Sequence, residues 1–444
     1  MNTQSTLVGL FKEVYGSNIV EAWSFMAKLA KKISFVSQDL QPGNYYNQPV
    51  DVQFEQGLSQ AAAGSIPGAS GGPVFFSPSA GQMQNAQLAG AQIIGRSQVS
   101  YEAIARSAGG GAKAFKEATK FVVRRLSQAT LKRLEFQLLH GGTSAAVVSS
   151  IATETGGAGA YFTICTITDA TWSTGIWAGM VGAYIDVFKL SDGTARTANN
   201  INTGVTSGNT GWCRISAVDT ANKTITLNYG TTTGAAATDI LAFASVGAGA
   251  TLTTTLANEM QGLDAITNWT ASSGTQQNIA TGTYDLWRGN QYSSATGVLS
   301  FPKLLEAAGL AASYGLMDEL TAVISPRAFE VINSDVAALR QYDVSYSGAK
   351  AENGSQALKF NGQTGSIEVM PHAFQKDGLA HMFCANEALR VGAADISFIT
   401  RQGSEDKLIL ESSTAAASEM RAYSNQSLFI SQPRHTVRMA GITY

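Results

Sequence analysis

The sequence has few charged residues for its length. Only 14% of its 444 residues are Asp, Glu, Lys or Arg, whereas soluble domains usually carry about 25%. A protein with so few charges must be kept soluble by uncharged polar groups, or much of its surface must be covered by a partner. The formal net charge of −2 provides no general signature of a nucleic-acid-binding protein.

Cysteine and histidine are also scarce, which argues against most metal sites. Three cysteines without Cys-x-x-Cys spacing are present, at Cys165, Cys213 and Cys384. We expect them to be buried, unreactive thiols, with neither a structural zinc nor a disulfide framework. Four histidines without His-Glu-x-x-His spacing are present, at His140, His372, His381 and His435. Each is expected to lie at the surface or in the core, and no metal or cofactor is predicted.

No hydrophobic run approaches the roughly 18 residues of a membrane span. The first residues, MNTQSTLVGLFKEVYG, also lack a basic start followed by an apolar segment. We therefore expect no signal peptide and synthesis in the cytoplasm.

Near the N-terminus the spacing predicts a helix from Ile19 to Phe35, capped by Ser17 or Asn18. Its apolar stripe consists of Val20, Trp23, Ala27, Ala30 and Ile33. Such a helix could lie on a membrane surface. An arm that packs on protein is favoured, because the segment is short and its apolar face narrow.

From Val50 to Glu55 apolar and polar residues alternate, which predicts a half-buried strand. A second extended segment, Gln92 to Ala105, is a candidate pairing partner. Between them, from Gln56 to Gly95, there is no Asp, Glu, Lys or Arg. A solvated loop of that length would normally carry charges, so this stretch is either disordered or packed against a partner.

The strongest helix prediction covers Ala112 to Leu139, ended by Gly141 and Gly142 in the C-terminal capping positions. Besides an apolar stripe it carries seven bases, namely Lys113, Lys116, Lys120, Arg124, Arg125, Lys132 and Arg133, against Glu117 and Glu135 only. These bases form either an ordinary solvated face or a surface that faces a polyanion.

The remaining chain predicts a mixed α+β protein. Short strands between residues 155 and 250, including a hairpin at Asp219 to Asn222, indicate a small barrel or sandwich. Helices are predicted at Phe301 to Ser313 and at Pro326 to Gln341, the second capped by Ser325. Strands are predicted at Ile396 to Arg401, Lys407 to Ser412 and Ser427 to Ile442.

The stretch GASGGPVFF, Gly68 to Phe76, resembles the nucleophile loop of a serine hydrolase, but its chemistry does not fit one. In trypsin-like enzymes the histidine that activates the serine precedes it, whereas all four histidines here follow Ser70. In a Gly-x-Ser-x-Gly elbow a helix must follow the serine, and Pro73 opposes that helix. Phosphate loops and calcium loops are missing too, so we do not expect an enzyme.

The order of the parts, together with LKRLEFQLLHGG (Leu131 to Gly142), ISPRAFEVI (Ile324 to Ile332) and RAYSNQSLFISQPRHTVRMAGI (Arg421 to Ile442), resembles the major capsid proteins of tailed bacteriophages, the Hong Kong-type shell fold. In the last segment Tyr423, Leu428, Phe429, Pro433 and Gly441 occur where the family pattern expects them. The resemblance covers nearly the whole chain.

The resemblance implies an α+β capsid fold with seven parts. These are an N-terminal arm (1–45), an extended hairpin loop (46–110), the spine helix and start of the peripheral domain (111–154), an all-β insertion domain (155–250), a peripheral-domain return (251–297), an axial domain (298–395) and peripheral-domain strands (396–444). Intersubunit contacts are expected at the loop tip, through Val74, Phe75 and Phe76, and at the arm, through Trp23 and Phe25. Lys113, Lys116, Lys120 and Arg124 are the candidates to face DNA.

The implied function is a structural one: a virion shell of pentamers and hexamers around packaged phage DNA, assembled in the bacterial cytoplasm. Expected partners are other copies of the chain, a scaffolding protein, a portal and a cement protein, and no membrane. Some relatives join subunits by an isopeptide bond from a lysine on the extended loop, but no lysine occurs between Lys32 and Lys113. The alternatives are an encapsulin-like compartment, a serine hydrolase using Ser70 and a secreted β-rich adhesin.

Overall fold

A computed structural model describes residues 27–37, 45–60, 77, 79–102, 112–155, 161–190, 212–228, 236–243, 258–268, 274–334, 358–363, 365–398, 410–411 and 417–444. Its helices are α1 (Leu29–Lys32), α2 (Ala112–His140), α3 (Thr174–Trp177), α4 (Leu263–Thr267), α5 (Phe301–Ser313) and α6 (Pro326–Ser334). Strands outnumber helices among these residues, so the fold is α+β with a large share of sheet.

The long helix α2 lies where the sequence predicts it and ends one residue later, at His140. The Gly141 N–H donates to the Gln137 carbonyl at 2.9 Å, and Gly142 has a φ of 77°. Only glycine adopts that left-handed conformation without strain, so the two glycines end the helix as expected.

The central sheet contains β1 (Ser34–Ser37), β4 (Ala91–Ser100), β18 (Ala388–Phe398), β19 (Leu410–Glu411) and β20 (Ala417–Ile430). Helix α2 packs on one face of it, where Leu126 contacts Met420 and Ala422. Gly95 permits this approach, because a β-carbon there would lie 2.9 Å from Thr130 Oγ1. Sheet and helix thus form the two layers around the main core.

A two-stranded ribbon consists of β2 (Tyr46–Gln53) and β3 (Gln82–Leu88). The alternation predicted for Val50 to Glu55 is confirmed at Val52, which is buried between the exposed Asp51 and Gln53. It is wrong at Phe54, because the strand ends at Gln53 and Phe54 is 68% exposed. The proposed pairing of this strand with Gln92 to Ala105 is wrong. That segment supplies β4, which ends at Ser100 and pairs with β20, because its apolar Ile93 faces α2 and the core.

Residues 146–243 contain a closed six-stranded barrel in the order β10-β5-β6-β9-β8-β7. Its strands are β5 (Ala146–Thr155), β6 (Tyr161–Ile167), β7 (Tyr184–Phe188), β8 (Trp212–Asp219), β9 (Thr224–Asn228) and β10 (Ile240–Phe243). The predicted hairpin connects β8 and β9, where Asp219 Oδ1 accepts from the N–H groups of Ala221 and Asn222. The predicted β-rich region is therefore a barrel.

The barrel differs from the prediction in two respects. It begins at Ala146, directly after α2, rather than at residue 155. Its interior is also not a separate core, because Ile185 and Leu227 belong to the same buried cluster as Leu134 of α2 and Phe374. The sequence pattern predicts which side chains of a strand are apolar, but it does not show which other elements those side chains pack against.

A short antiparallel pair consists of β11 (Thr275–Gln276) and β12 (Ile279–Ala280). The second sheet has the order β13-β21-β17-β14-β16-β15. Its strands are β13 (Asn290–Gly297), β14 (Leu320–Ile324), β15 (Leu358–Asn361), β16 (Ser366–Pro371), β17 (Leu379–Cys384) and β21 (Val437–Ile442). Both predicted helices pack on it, α5 through Leu304 and α6 through Ile332. Ser325 caps α6 as predicted, since its Oγ accepts from the Ala328 N–H at 3.2 Å. Residues 335–341 of that predicted helix lie outside the described residues.

Three further predictions need correction or restriction. The N-terminal helix does not reach Phe35, because Ser34–Ser37 form β1, parallel to β18.

The predicted strand Ser427 to Ile442 is two strands in different sheets, separated at Pro433, which has no N–H to donate to a ladder. Of the predicted strands at 396–401 and 407–412, the described parts belong to β18 and β19, which both pair with β20.

Candidate functional site

The predicted contact residues of the arm and the loop tip lie outside the described residues, namely Trp23, Phe25, Val74, Phe75 and Phe76. The same is true of Ser70. Lys113, Lys116 and Lys120 fall within α2, but the described side chains of this helix begin at Val122. Arg124 is described and exposed.

The base of the ribbon packs on the body of its own chain. Val52, Ala86 and Leu88 form a buried cluster with the side chains of Ile279, Trp287, Val391 and Phe429. Two polar contacts fix the ribbon in place. Gln84 Nε2 donates to the Tyr284 hydroxyl at 3.2 Å, and the Gln87 N–H donates to the Gln277 carbonyl at 2.8 Å.

Beyond Gln53 the ribbon continues as a tip that this body does not bury. The backbones of Gln56 and Ser79 still exchange two hydrogen bonds of 2.8 Å. Three large apolar side chains are exposed on the tip and beside it, with exposed fractions of 68% for Phe54, 86% for Leu58 and 70% for Met83. Several exposed apolar side chains in and next to a charge-free stretch are typical of a surface that another protein covers.

The continuous basic face predicted for α2 is only partly present. Arg124 and Arg125 are exposed, but the bases nearer the C-terminal end bind within the protein. Lys132 Nζ donates to the Ala178 carbonyl at 2.8 Å, and Arg133 pairs with the buried Glu259 at 2.8 Å. The Arg133 guanidinium also lies 3.9 Å from the centre of the Phe243 ring of the barrel. These two bases therefore join the helix to the barrel and neighbouring loop rather than facing a partner.

The four histidines are buried, which agrees with the core alternative of the prediction, although neither ring nitrogen of His140 has a hydrogen-bond partner among the described residues. Two of them meet at Asp264, which the sequence analysis missed. Asp264 Oδ1 accepts from Arg438 Nε at 2.7 Å and lies 3.4 Å from His381 Nε2, while Oδ2 lies 3.6 Å from His140 Nδ1. The partners of Asp264 lie 117 to 174 positions away from it, so they leave no spacing signal in the sequence.

The electrostatics of this cluster keep both imidazoles neutral. Burial lowers the pKa of His140 from 6.5 to about 3 and also lowers the pKa of His381. Burial opposes ionisation of Asp264 as well, yet the imidazoles of His140 and His381 and the charge of Arg438, all close to its carboxylate, hold its pKa well below 3.8. The cluster is thus an ionised carboxylate held by Arg438 and two neutral rings.

The three cysteines are buried and free, as predicted. Burial raises the pKa of Cys165 to about 12, which leaves its thiol protonated and unreactive at neutral pH. In the described part of the chain no group of three His, Cys, Asp or Glu side chains is arranged to hold a metal. None of the helices described is both long and apolar enough to cross a membrane.

Comparison with known proteins identifies the class of fold. The chain is similar over its full length to the chain in a capsid asymmetric unit of cyanophage A-1(L), with a TM-score of 0.52, 11% identity and 100% of both chains covered. Two further similar structures are the capsid of a native GTA particle (TM-score 0.48, 8% identity, 100% of both chains) and that of Mycobacterium phage Bobi (0.46, 9% identity, 99% of this chain and 98% of the other). No protein-family model matches the sequence, and no curated protein matches it either.

The full-length match to the cyanophage chain shows that this protein has the fold of the tailed-phage major capsid proteins. The predicted α+β capsid fold is therefore confirmed. At 11% identity the match carries the fold and not the individual contacts.

Proposed function

We propose that the chain is a structural capsid protein that assembles into an icosahedral shell enclosing double-stranded phage DNA. In the proposed shell the subunits form pentamers and hexamers, and the partners are other copies of the chain, the packaged DNA, a scaffolding protein, a portal and a cement protein. The protein acts in the virion and is assembled in the bacterial cytoplasm.

The observation that carries the proposal is the ribbon tip, in the context of a full-length capsid fold. The 40 residues from 56 to 95 contain no charged side chain. The exposed Leu58 lies in this stretch, and the exposed Phe54 lies two residues before it. An apolar surface of this kind gains free energy when a neighbouring subunit covers it. The missing charges matter because burying an unpaired ion costs several kcal/mol. We assign residues 46–110 to the extended loop, of which β4 (Ala91–Ser100) returns into the chain's own central sheet. The part before β4 is proposed to reach over a neighbour, with Val74, Phe75 and Phe76 as its anchors.

The other assignments follow the same division of the chain. We assign 1–45 to the arm, and 111–145 with 251–297 and 396–444 to the peripheral domain. The insertion domain is 146–250, since the barrel begins at Ala146, and 298–395 is the axial domain around the symmetry axes. Trp23 and Phe25 are the proposed arm contacts. Lys113, Lys116, Lys120 and Arg124 are the proposed DNA-facing bases.

The decisive experiment is expression of the chain with its neighbouring phage genes, followed by light scattering and electron microscopy. Closed particles are expected, and a product consisting only of monomers would contradict the proposal. The contents of purified particles separate a phage shell from an enzyme compartment, since the former retains DNA and the latter a cargo protein. Phe75→Asp and Phe76→Asp are expected to reduce the particle yield, whereas Ser70→Ala should leave it unchanged.

A further inference from the structure

The central sheet has a second face, on the side away from α2, that is only half covered. Side chains alternate along β20, so that Met420 and Ala422 face α2 and Arg421 and Tyr423 face the other way. At one end of this second face Phe429 is buried under the base of the chain's own ribbon. At the other end Ile94 of β4, directly opposite Tyr423, is 61% exposed.

The uncovered half is basic. Arg96 of β4 and Arg421 of β20 are directly opposed in the register, and their side chains are 53% and 45% exposed. Both bind one carboxylate, that of the buried Glu419, with Arg96 Nη2 at 2.7 Å. Arg96, with Gln98 and Arg421, lowers the pKa of Glu419 to about 2. Two arginines with one carboxylate leave one positive charge in excess beside the apolar Ile94.

The ribbon carries the complementary set of side chains on its outward face. Asp51 and Met83 are directly opposed in the register and both are exposed. Glu55 and the apolar Phe54 and Leu58 follow at the tip. Because 45–60 and 77–95 contain Asp51 and Glu55 but no Lys or Arg, the ribbon is purely acidic where it is charged at all.

We infer that the uncovered half of this sheet face, formed by Ile94, Arg96, Arg421 and Tyr423, receives the acidic, apolar ribbon of a second copy of the chain. The inference rests on the proposed function, and it specifies where on the neighbour the ribbon binds. Asp51 and Glu55 offset the excess positive charge of the arginine pair, while Leu58 or Phe54 covers Ile94. Complementary charge then sets the orientation of the ribbon, and apolar contact supplies most of the affinity.

A charge exchange tests the inference. Asp51→Arg and Arg96→Glu should each lower the particle yield at fixed protein concentration by about tenfold, because each places like charges in contact. The two changes combined in one chain should restore most of the yield. Glu330→Arg, at an exposed carboxylate on α6, is the matched control and should assemble normally. Normal assembly of both single variants would overturn the inference and leave the proposed shell function intact.

A second measurement covers the case in which Arg96→Glu fails to fold beside Glu419. A photoreactive amino acid at the exposed Leu58 is cross-linked in particles that are assembled from mixed isotope-labelled and unlabelled chains. Cross-links between labelled and unlabelled peptides should map to Ala91–Ser100 or Ala417–Gln426. Mapping to any other surface, or the absence of intermolecular cross-links in intact particles, would overturn the inference. Failure of the unmodified chain to form particles would instead contradict the proposed function.

Discussion

Glu135 and His372, which are 237 positions apart, lie side by side in the core with 2.9 Å between Oε2 and Nε2. The same carboxylate accepts the backbone N–H groups of Leu29 at 3.3 Å and Ala30 at 2.8 Å. One buried acid on α2 therefore fixes the start of α1, where the N-terminal segment enters the fold.

Replacement of this acid should destabilise the subunit. We expect Glu135→Gln to lower the free energy of unfolding by about 1 to 3 kcal/mol, because the amide can accept fewer and weaker hydrogen bonds from the same donors. Urea denaturation of the soluble subunit measures the change. Glu330→Gln on α6 is the matched control at an exposed helical position, and an equal loss in both variants would contradict the assigned role of Glu135.

The cluster at Asp264 should make stability depend on pH. The pKa of His140 is lowered to about 3 and that of His381 is also lowered, so below pH 6.5 the unfolded chain binds protons that the folded chain does not. Stability is then lost as the pH falls from 6.5 toward 3, by about 2 to 3 kcal/mol for His140 at about pH 4.5. The lowered pKa of Asp264 adds a loss in the same direction below 3.8.

Calorimetry of the subunit between about pH 7 and pH 4.5 measures this dependence. His140→Gln removes one titrating group and should flatten the curve, even if it lowers stability at pH 7. An unchanged slope in that variant would show that other groups control the acid response.

The ribbon tip should tolerate polarity better than charge. Leu58 is 86% exposed in the subunit, so neither Leu58→Gln nor Leu58→Lys should alter subunit folding. In assembly Leu58→Lys should be the more harmful of the two, because only it brings a positive charge against the Arg96 and Arg421 pair of the neighbour. Particle yield by sedimentation compares these two variants of similar length. Equal yields would contradict burial of the tip in the shell.

The basic residues in the first half of α2 should contribute to DNA retention. Replacing Lys116, Lys120 and Arg124 together by Gln is expected to reduce the DNA content of particles more than the particle yield, since these contacts would be electrostatic and independent of sequence. Nuclease-protected DNA per particle is the quantity to measure. An equal fall in DNA content and yield would mean that the three residues are structural.

Local features of the fold were predictable from the sequence. Helix α2 combines an apolar stripe with two glycines at its end, and α6 begins at Pro326 with Ser325 as its cap. The β8–β9 hairpin has turn residues between alternating strands. In each case the signal and the structure lie within a few residues of one another, so the sequence pattern predicts the element directly.

Long-range relationships were not predictable in the same way. The structure pairs β4 with β20 rather than with β2 and places its Gly95 close to Thr130 of α2, two relationships between segments that are distant in the sequence. Lys132 and Arg133 were predicted to belong to the basic face of α2. Instead Lys132 binds the Ala178 carbonyl and Arg133 binds Glu259, and the helical periodicity of the sequence does not reveal these partners. The cluster of Asp264, Arg438, His381 and His140 likewise brings together residues from four distant segments.

The sequence alone predicted the fold class, the ends of the strongest helices, a small barrel or sandwich within residues 155–250 and the charge-free stretch 56–95. Each depends on composition or on short-range periodicity, which a single chain displays directly. Only the tertiary structure decided that the ribbon's base is buried and its tip exposed, and that Arg96 and Arg421 form one basic pair. Such facts follow from packing between segments hundreds of residues apart, where burial and pairing depend on what the rest of the chain leaves uncovered.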